Sequence, residues 1–160
     1  MTALKGTVLL FGVGNRLRGD DGVGPAVVEA LKARGLLWLQ AVDCGVSPEN
    51  WLAVAAAAKP REVIVVDAAL MGLPPGTVRR LSVADLDDSP SLGRLPTVWL
   101  LSSCVEAKKT VIAIEPERCH LSLALSETVA GAVEIVVQAM TTGTWDKIPL
   151  LAHQVKRSPR

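Results

Sequence analysis

Three aspartates, Asp21, Asp43 and Asp67, stand at comparable places in the chain, each closing a short apolar run over residues 8–11, 37–42 and 63–66. Carboxylates delivered to one place by separate segments bind a divalent cation or serve as general acid and base. The first lies in Gly12-Val-Gly-Asn-Arg-Leu-Arg-Gly-Asp-Asp-Gly-Val-Gly24, which gathers Asn15, Asp20 and Asp21 in a glycine-flanked turn ahead of a helix. Two carboxylates in such a turn suit a hard or borderline cation. Each aspartate also has an ordinary use as a helix cap or turn former, and at the level of these residues both readings stand.

A glycine-rich turn after a strand also raises dinucleotide binding. Gly12-Val-Gly14 supplies the first two glycines of G-x-G-x-x-G, but Leu17 occupies the third position. Asp20 and Asp21 would moreover compete with phosphate for the backbone N–H groups of the helix start.

The elements that must position these groups alternate. Residues 8–13 read as a strand and residues 25–34 as a helix, with Val27, Val28 and Leu31 on one face and Gly35 as its C-terminal glycine. Residues 37–42 read as a second strand. A helix begins with Ser47 as N-cap and Pro48 in its first turn, running to about residue 59. Residues 63–67 form a third strand, apolar on both faces. This order implies a parallel sheet with right-handed crossovers. In an open sheet of this kind ligands bind beyond the carboxyl ends of the strands, where the three aspartates would converge.

Beyond Asp67 a turn at residues 71–76 leads to an alternating edge strand over 77–82, a polar loop over 85–95, and strands over 97–101 and 110–114. Ser126 caps a last helix to about Met140, whose buried stripe is Val129, Val133, Val136 and Val137. The expected fold is a single-domain α/β three-layer sandwich over residues 1–143: a mostly parallel twisted sheet flanked by helices, with one edge strand antiparallel. Residues 144–160 are expected to form a flexible tail without chemistry.

Composition narrows the function classes. The chain has 160 residues, 49% hydrophobic and 21% charged, which suits one domain with one sizeable core. With 17 basic against 16 acidic side chains there is no global field to gather nucleic acid or an anionic membrane. Four tryptophans and one phenylalanine are too few for a base-stacking platform. No apolar run reaches membrane-spanning length, and the first residues lack the pattern of a secretion signal. Three cysteines without a C-x-x-C fit a reducing cytoplasmic setting. The expected partners are therefore neither nucleic acid nor membrane.

The segments Gly12 through Gly24, Asp43-Cys-Gly-Val-Ser-Pro-Glu-Asn50 and Val65-Val-Asp-Ala-Ala-Leu-Met-Gly-Leu-Pro-Pro-Gly76 resemble, in that order, the hydrogenase maturation endopeptidases. The similarity is strongest to the branch serving formate-linked, formate hydrogenlyase-type hydrogenases. It resumes at Thr110-Val-Ile-Ala-Ile-Glu-Pro116 and continues through the last helix. The resemblance implies a cytoplasmic protease that acts on the precursor of a nickel–iron hydrogenase large subunit, removing a short C-terminal extension once nickel is in place. Nickel would arrive with the substrate protein, and zinc or cadmium could stand in for it. Asp21 and Asp67 match the family's metal-binding carboxylates, with Asp21 counted also among the catalytic groups. Asp43 matches a position tied to cleavage or substrate handling.

The family's third ligand is a histidine after the strand expected at 97–101, and no histidine stands there. Leu101-Ser-Ser is followed by Cys104-Val-Glu-Ala-Lys-Lys109. Either Cys104 replaces the imidazole as a softer ligand, or a histidine-bearing segment is absent and Cys104 is an ordinary buried thiol. Residues 105–109 are too few for a packed helix, which favours the absent segment. His120 follows a strand end and lies within reach of the same edge, whereas His153 sits in the tail; neither matches the family position. Cys119 beside His120 lacks the orienting group a cysteine protease needs. A second class of function therefore stays open, a metal-dependent binding or chaperone protein that has lost a ligand and does not cleave. A nucleotide-binding module is a weaker third.

Overall fold

The run Val8–Val13 is buried along its whole length, as a strand covered on both faces must be, and so is nearly all of Glu62–Ala68. They form β1 and β3 in a computed structural model that describes residues 7–81 and 106–152. The remaining elements are α1 (Val23–Arg34), β2 (Leu39–Gly45), α2 (Leu52–Ala58), β4 (Val78–Leu81), β5 (Lys108–Ile114) and α3 (Glu127–Thr142). The sheet runs in the order β2-β1-β3-β5-β4, parallel except for the antiparallel pair of β4 with β5. This is the α/β sandwich expected from the sequence, with the antiparallel strand at an edge. The strand expected at 97–101, the loop at 85–95, Cys104 and His153 all lie outside the described residues. No helix among the described residues is long and apolar enough to cross a membrane.

Alternation along the strands divides the core in two. Val8, Leu10, Ile64, Val66, Ile112 and Ile114 pack against the stripes of α1 and α3 on one face. Leu9, Phe11, Val63, Val65 and Val111 pack toward α2 on the other. The chain leaves β1 toward β2 on one side and returns across to β3 on the other. The order of strands therefore reverses between β1 and β3, and a crevice opens beyond their carboxyl ends.

Several boundaries differ from those read in the sequence. Helix α1 begins at Val23 rather than 25, because a 3-10 turn at Gly19–Gly22 runs directly into it. Strand β2 is displaced toward the C-terminus: Leu37 is fully exposed in a turn closed by Leu39 N–H donating to Leu36 O, and the strand continues through Asp43 to Gly45. Asp43 therefore sits within its strand, not after it, while Asp67 lies in β3 as the sequence indicated. Ser47 takes the expected cap position, but its hydroxyl makes no capping bond and the first turn, Pro48–Trp51, is 3-10.

The expected flexible tail is largely fixed up to residue 151. Trp145 and Ile148 are buried, the Trp145 ring stacks on Trp38 at 5.7 Å between centroids, and its Nε1 donates to Glu62 at 3.1 Å. Arg80 N donates to Pro149 O at 2.8 Å and Leu151 N to Arg80 O at 2.9 Å, so the chain covers the outer edge of β4.

Helix α1 lies closer to the sheet than side chains normally allow. A Cβ on Gly24 would meet Val13 O at 2.4 Å and Val66 O at 2.6 Å, and one on Gly12 would meet Gly24 O at 2.4 Å. Gly24→Ala should lower the unfolding free energy by about 1–3 kcal/mol, because both obstacles are backbone. Gly131 of α3 has open space around it, so Gly131→Ala should raise stability by about 0.5–1 kcal/mol. Urea denaturation of the two variants checks the contrast.

Candidate active site at the carboxyl edge of the sheet

The crossing of α1 over β1 and β3 sets its first turn directly above the crevice. The backbone there is so close that a Cβ on Gly14, whose φ is +143°, would overlap Asp21 O. Asp21, half-buried, accepts a hydrogen bond from Asn15 N at 3.0 Å through Oδ2. Asp67, 4% exposed, reaches the same crevice from β3. Burial pushes the Asp67 carboxyl well above the usual carboxylate range, the charge of Asp21 pushes it further, and the Ala68 N–H offsets only part of this. Asp67 thus lies near enough to Asp21 to feel its charge, an arrangement that a cation between them would relieve.

Asp43 is directed elsewhere. Val42 and Cys44 face the α2 side, so alternation turns Asp43 to the α1 side, whereas Asp67 shares the α2 side with Val63 and Val65. There Arg16 holds Asp43 Oδ2 through Nε at 3.2 Å and Nη2 at 3.1 Å, and also reaches Glu29 of α1 at 3.0 Å. Hydrogen bonds to Glu29 and Asp43 raise the Arg16 pKa above its ordinary value. Asp43 Oδ1 accepts from Gly45 N at 2.9 Å. Asp43 therefore borders the site across β1 without facing the Asp21–Asp67 pair.

Asp20 has a different use from its neighbour. It is 1% exposed and accepts from Glu117 N at 2.9 Å, Arg118 N at 2.8 Å, Ser126 N at 2.7 Å and Ser126 Oγ at 2.8 Å. This carboxylate holds the N-cap residue of α3, whose hydroxyl makes no capping bond of its own, and clamps the loop after β5 onto the turn after β1. Glu115, 5% exposed, does the same for the turn after β3, accepting from Met71 N at 2.7 Å, Gly72 N at 3.0 Å and Leu73 N at 3.1 Å. Sequence reasoning missed both clamps and the Arg16 bridge. A Glu closing an apolar strand, opposite a glycine-containing turn, was the available signal for Glu115.

Cys119 lies beside Asp21. Burial raises its thiol pKa, the charges of Asp21 and Asp20 raise it further, and Arg18 and the Asp21 N–H pull against them. A thiol held protonated is a poor nucleophile. Cys44 is more so, pushed up to about 12 by burial and by Asp43. His120 is exposed in the same loop. Among the described residues no group of three or more His, Cys, Asp or Glu side chains is arranged to hold a metal ion.

Comparisons with known proteins point one way. A profile described as hydrogenase maturation protease matches residues 25–142, a span that contains Asp43 and Asp67 and begins just after Asp21. The chain is similar to a hydrogenase 3 maturation protease of Escherichia coli strain K12, 30% identical over 138 residues, covering 84% of this chain and 88% of that protein. The solution structure of an endopeptidase from Escherichia coli superposes with a TM-score of 0.82 at 27% identity, covering 95% of this chain and 99% of that one. A crystal structure of the hydrogenase 3 maturation protease gives 0.80 at 27% identity, over 94% and 100%.

Two substitutions separate the clamp from the crevice. For Asp20, burial favours the neutral form, but the amides of Arg118, Ser126 and Glu117 and the Ser126 hydroxyl outweigh it and hold the pKa below its ordinary value of 3.8. Its contribution is therefore complete above pH 3.8 and disappears as pH falls through the lower, folded-state value. Asp20→Asn should cost about 2–3 kcal/mol at pH 7, a difference that shrinks on acidification below pH ~4. Asp67 has the opposite sign, since its raised pKa makes ionisation in the folded protein costly above pH 3.8. Asp67→Asn should stabilise the protein by on the order of 1 kcal/mol at neutral pH, and the gain should vanish below about pH 4. Thermal melts of both variants across pH 3–7 read these slopes.

Proposed function

The chain belongs to the hydrogenase maturation protease family, and on that premise we propose that it is the endopeptidase that trims the C-terminal extension from the nickel-loaded precursor of a nickel–iron hydrogenase large subunit. In this reading Asp21 and Asp67 recognise the nickel that the precursor carries. The supporting observation is Asp67 itself: a buried carboxyl at the switch point of the sheet, raised by its own burial and by the charge of Asp21. Two carboxylates offer an incomplete coordination shell. Such a shell suits an ion already bound by another protein better than a free one.

The chain's own residues then act in sequence. An entering cation would favour the ionised form of Asp67, which burial and the charge of Asp21 otherwise oppose, and Asp21, oriented by Asn15 N–H, completes the acidic face. The clamps from Asp20 and Glu115 keep the loops around this face from spreading. Asp43, on the far side of β1, handles the substrate chain next to Arg16. A divalent ion held by Asp21 and Asp67 would supply polarisation of the scissile carbonyl or activation of a water. Precursor without metal would leave the like-charged pair uncompensated, so the metal doubles as the signal that maturation has reached this step. The cytoplasm, where such precursors are assembled, is the compartment that fits this role.

A second reading, a binding or chaperone homologue that does not cleave, is favoured by one sequence fact, the absence of a histidine between Leu101 and Thr110. Incubation of the purified protein with nickel-loaded precursor decides between them. Conversion to the shorter form supports the protease, and a stable complex without conversion supports the second reading. If the protease reading holds, Asp21→Asn and Asp67→Asn should each reduce processing by at least about 100-fold while remaining folded, since ligands matter more than the outer-shell partners whose loss costs 10–100-fold. Wild-type rates in either variant would remove that residue from the site.

A further inference from the structure

Among the described residues, the edge that carries the acid pair also carries most of the exposed large aliphatic side chains. Leu17 follows β1, Val46 follows β2, Leu70 follows β3, and Leu121 and Leu123 follow β5. Their exposures run from 56% for Leu17 to 86% for Leu121. These loops belong to four adjacent strands of the sheet, so the side chains spread along the same carboxyl edge as the Asp21–Asp67 crevice, with Leu123 bordering a pocket beside Arg16 and Glu29 of α1. With strands about 4.8 Å apart, the rim is about 15 Å across along the sheet edge alone.

The backbone under this rim is fixed. Arg18 and Ser122 form a parallel bridge, with Ser122 N donating to Leu17 O at 3.0 Å and Gly19 N to Ser122 O at 2.8 Å. Leu121 and Leu123 flank Ser122, and the alternation of a bridged segment turns both away from it, on the side that Leu17 shares. Asp20 pins the start of that loop and Ser126 at its end, and Glu115 pins the turn after Leu70. Isolated surface leucines are ordinary, but a rigid apolar set around one buried acidic centre marks an interface.

We propose that Leu17, Val46, Leu70, Leu121 and Leu123 form the docking surface for the folded precursor, which meets them with an apolar patch centred on its metal. The inference rests on the function proposed above and extends it from the acid pair to the surrounding surface. The breadth of the rim favours a folded surface over an extended peptide, which would need a groove. Charge excludes a second copy of this chain as the main occupant, because a symmetric contact would bring two acidic centres face to face. A partner with a cation at its centre has the complementary sign.

The test uses the full chain carrying Leu17→Ser, Leu121→Ser and Leu123→Ser together, with Leu37→Ser as an exposed control away from this edge. Binding of nickel-loaded precursor is measured by interferometry, and KM and kcat by processing. The triple variant should weaken binding about tenfold or more, with the loss appearing in KM rather than kcat, while the control matches wild type. Leu121→Ser alone, at a highly exposed position that folding does not depend on, should show a smaller loss in the same direction. Unchanged affinity in both variants, with wild type still binding precursor, would overturn the docking surface and leave the proposed function standing. Wild-type protein that neither binds nor processes the precursor would overturn both. A triple variant that loses self-association but keeps its affinity for precursor would assign the rim to contacts between copies and overturn the proposal.

Discussion

A helix can rest on a sheet at backbone distance only where side chains are missing from both surfaces, and in this protein that condition is met at Gly12 and Gly24. The rest of the site depends on it. With α1 pressed onto β1 and β3, the turn that precedes the helix must fold back over the ends of those strands, and Gly14 lets it pass against Asp21. A methyl group at either crossing would lift the helix and carry Asp21 away from Asp67. The glycine-rich segment that resembles a phosphate-binding turn thus serves close packing, and what it delivers to the crevice is a carboxylate in place of backbone donors for phosphate.

Three carboxyl groups near this edge are buried, and their surroundings divide them by role. Asp20 and Glu115 are met by several short hydrogen bonds each, so their charge is replaced almost bond for bond after leaving water. They organise the loops. Asp67 has burial and a like charge against it, with one neighbouring amide in its favour. Burial of a carboxyl without compensation is the kind of local cost that marks a functional site. The adjacent residues Asp20 and Asp21 show how sharp the division is: one side chain turns inward to a ready set of donors, the next toward the crevice.

How legible this was in the sequence follows from what kind of interaction sets each feature. Val8–Val13 was readable to the residue, because an unbroken apolar run ending in glycine admits few alternatives. The parallel order followed from alternation, and the antiparallel edge strand from the change in pattern after Asp67. Strand β2 was misplaced because Leu36 and Leu37 carry the apolar signal, whereas the strand itself lies at an edge and is only half-buried. The fixed chain after α3 was missed because its anchor is one tryptophan reaching Glu62 at the opposite end of the sheet from Asp67. Side-chain contacts between residues 83 positions apart leave no periodicity to read. The same holds for Asp20 and Ser126, 106 positions apart. The convergence of Asp21 with Asp67 was legible as topology, but the departure of Asp43 to the other face required its strand register.

That departure constrains how Asp43 contributes. Arg16 holds it from a side chain that is 49% exposed, and Glu29, at 72%, is more open still. Exposed ion pairs of this kind are worth about 0–1 kcal/mol, so the Arg16 bridge is a weak latch that an incoming chain can open without a large penalty. Arg16 also follows Asn15, whose N–H orients Asp21. One short loop therefore touches both acidic positions, on one side through its backbone and on the other through a guanidinium. The two faces of the sheet are in this way linked by hydrogen bonds from the adjacent residues Asn15 and Arg16.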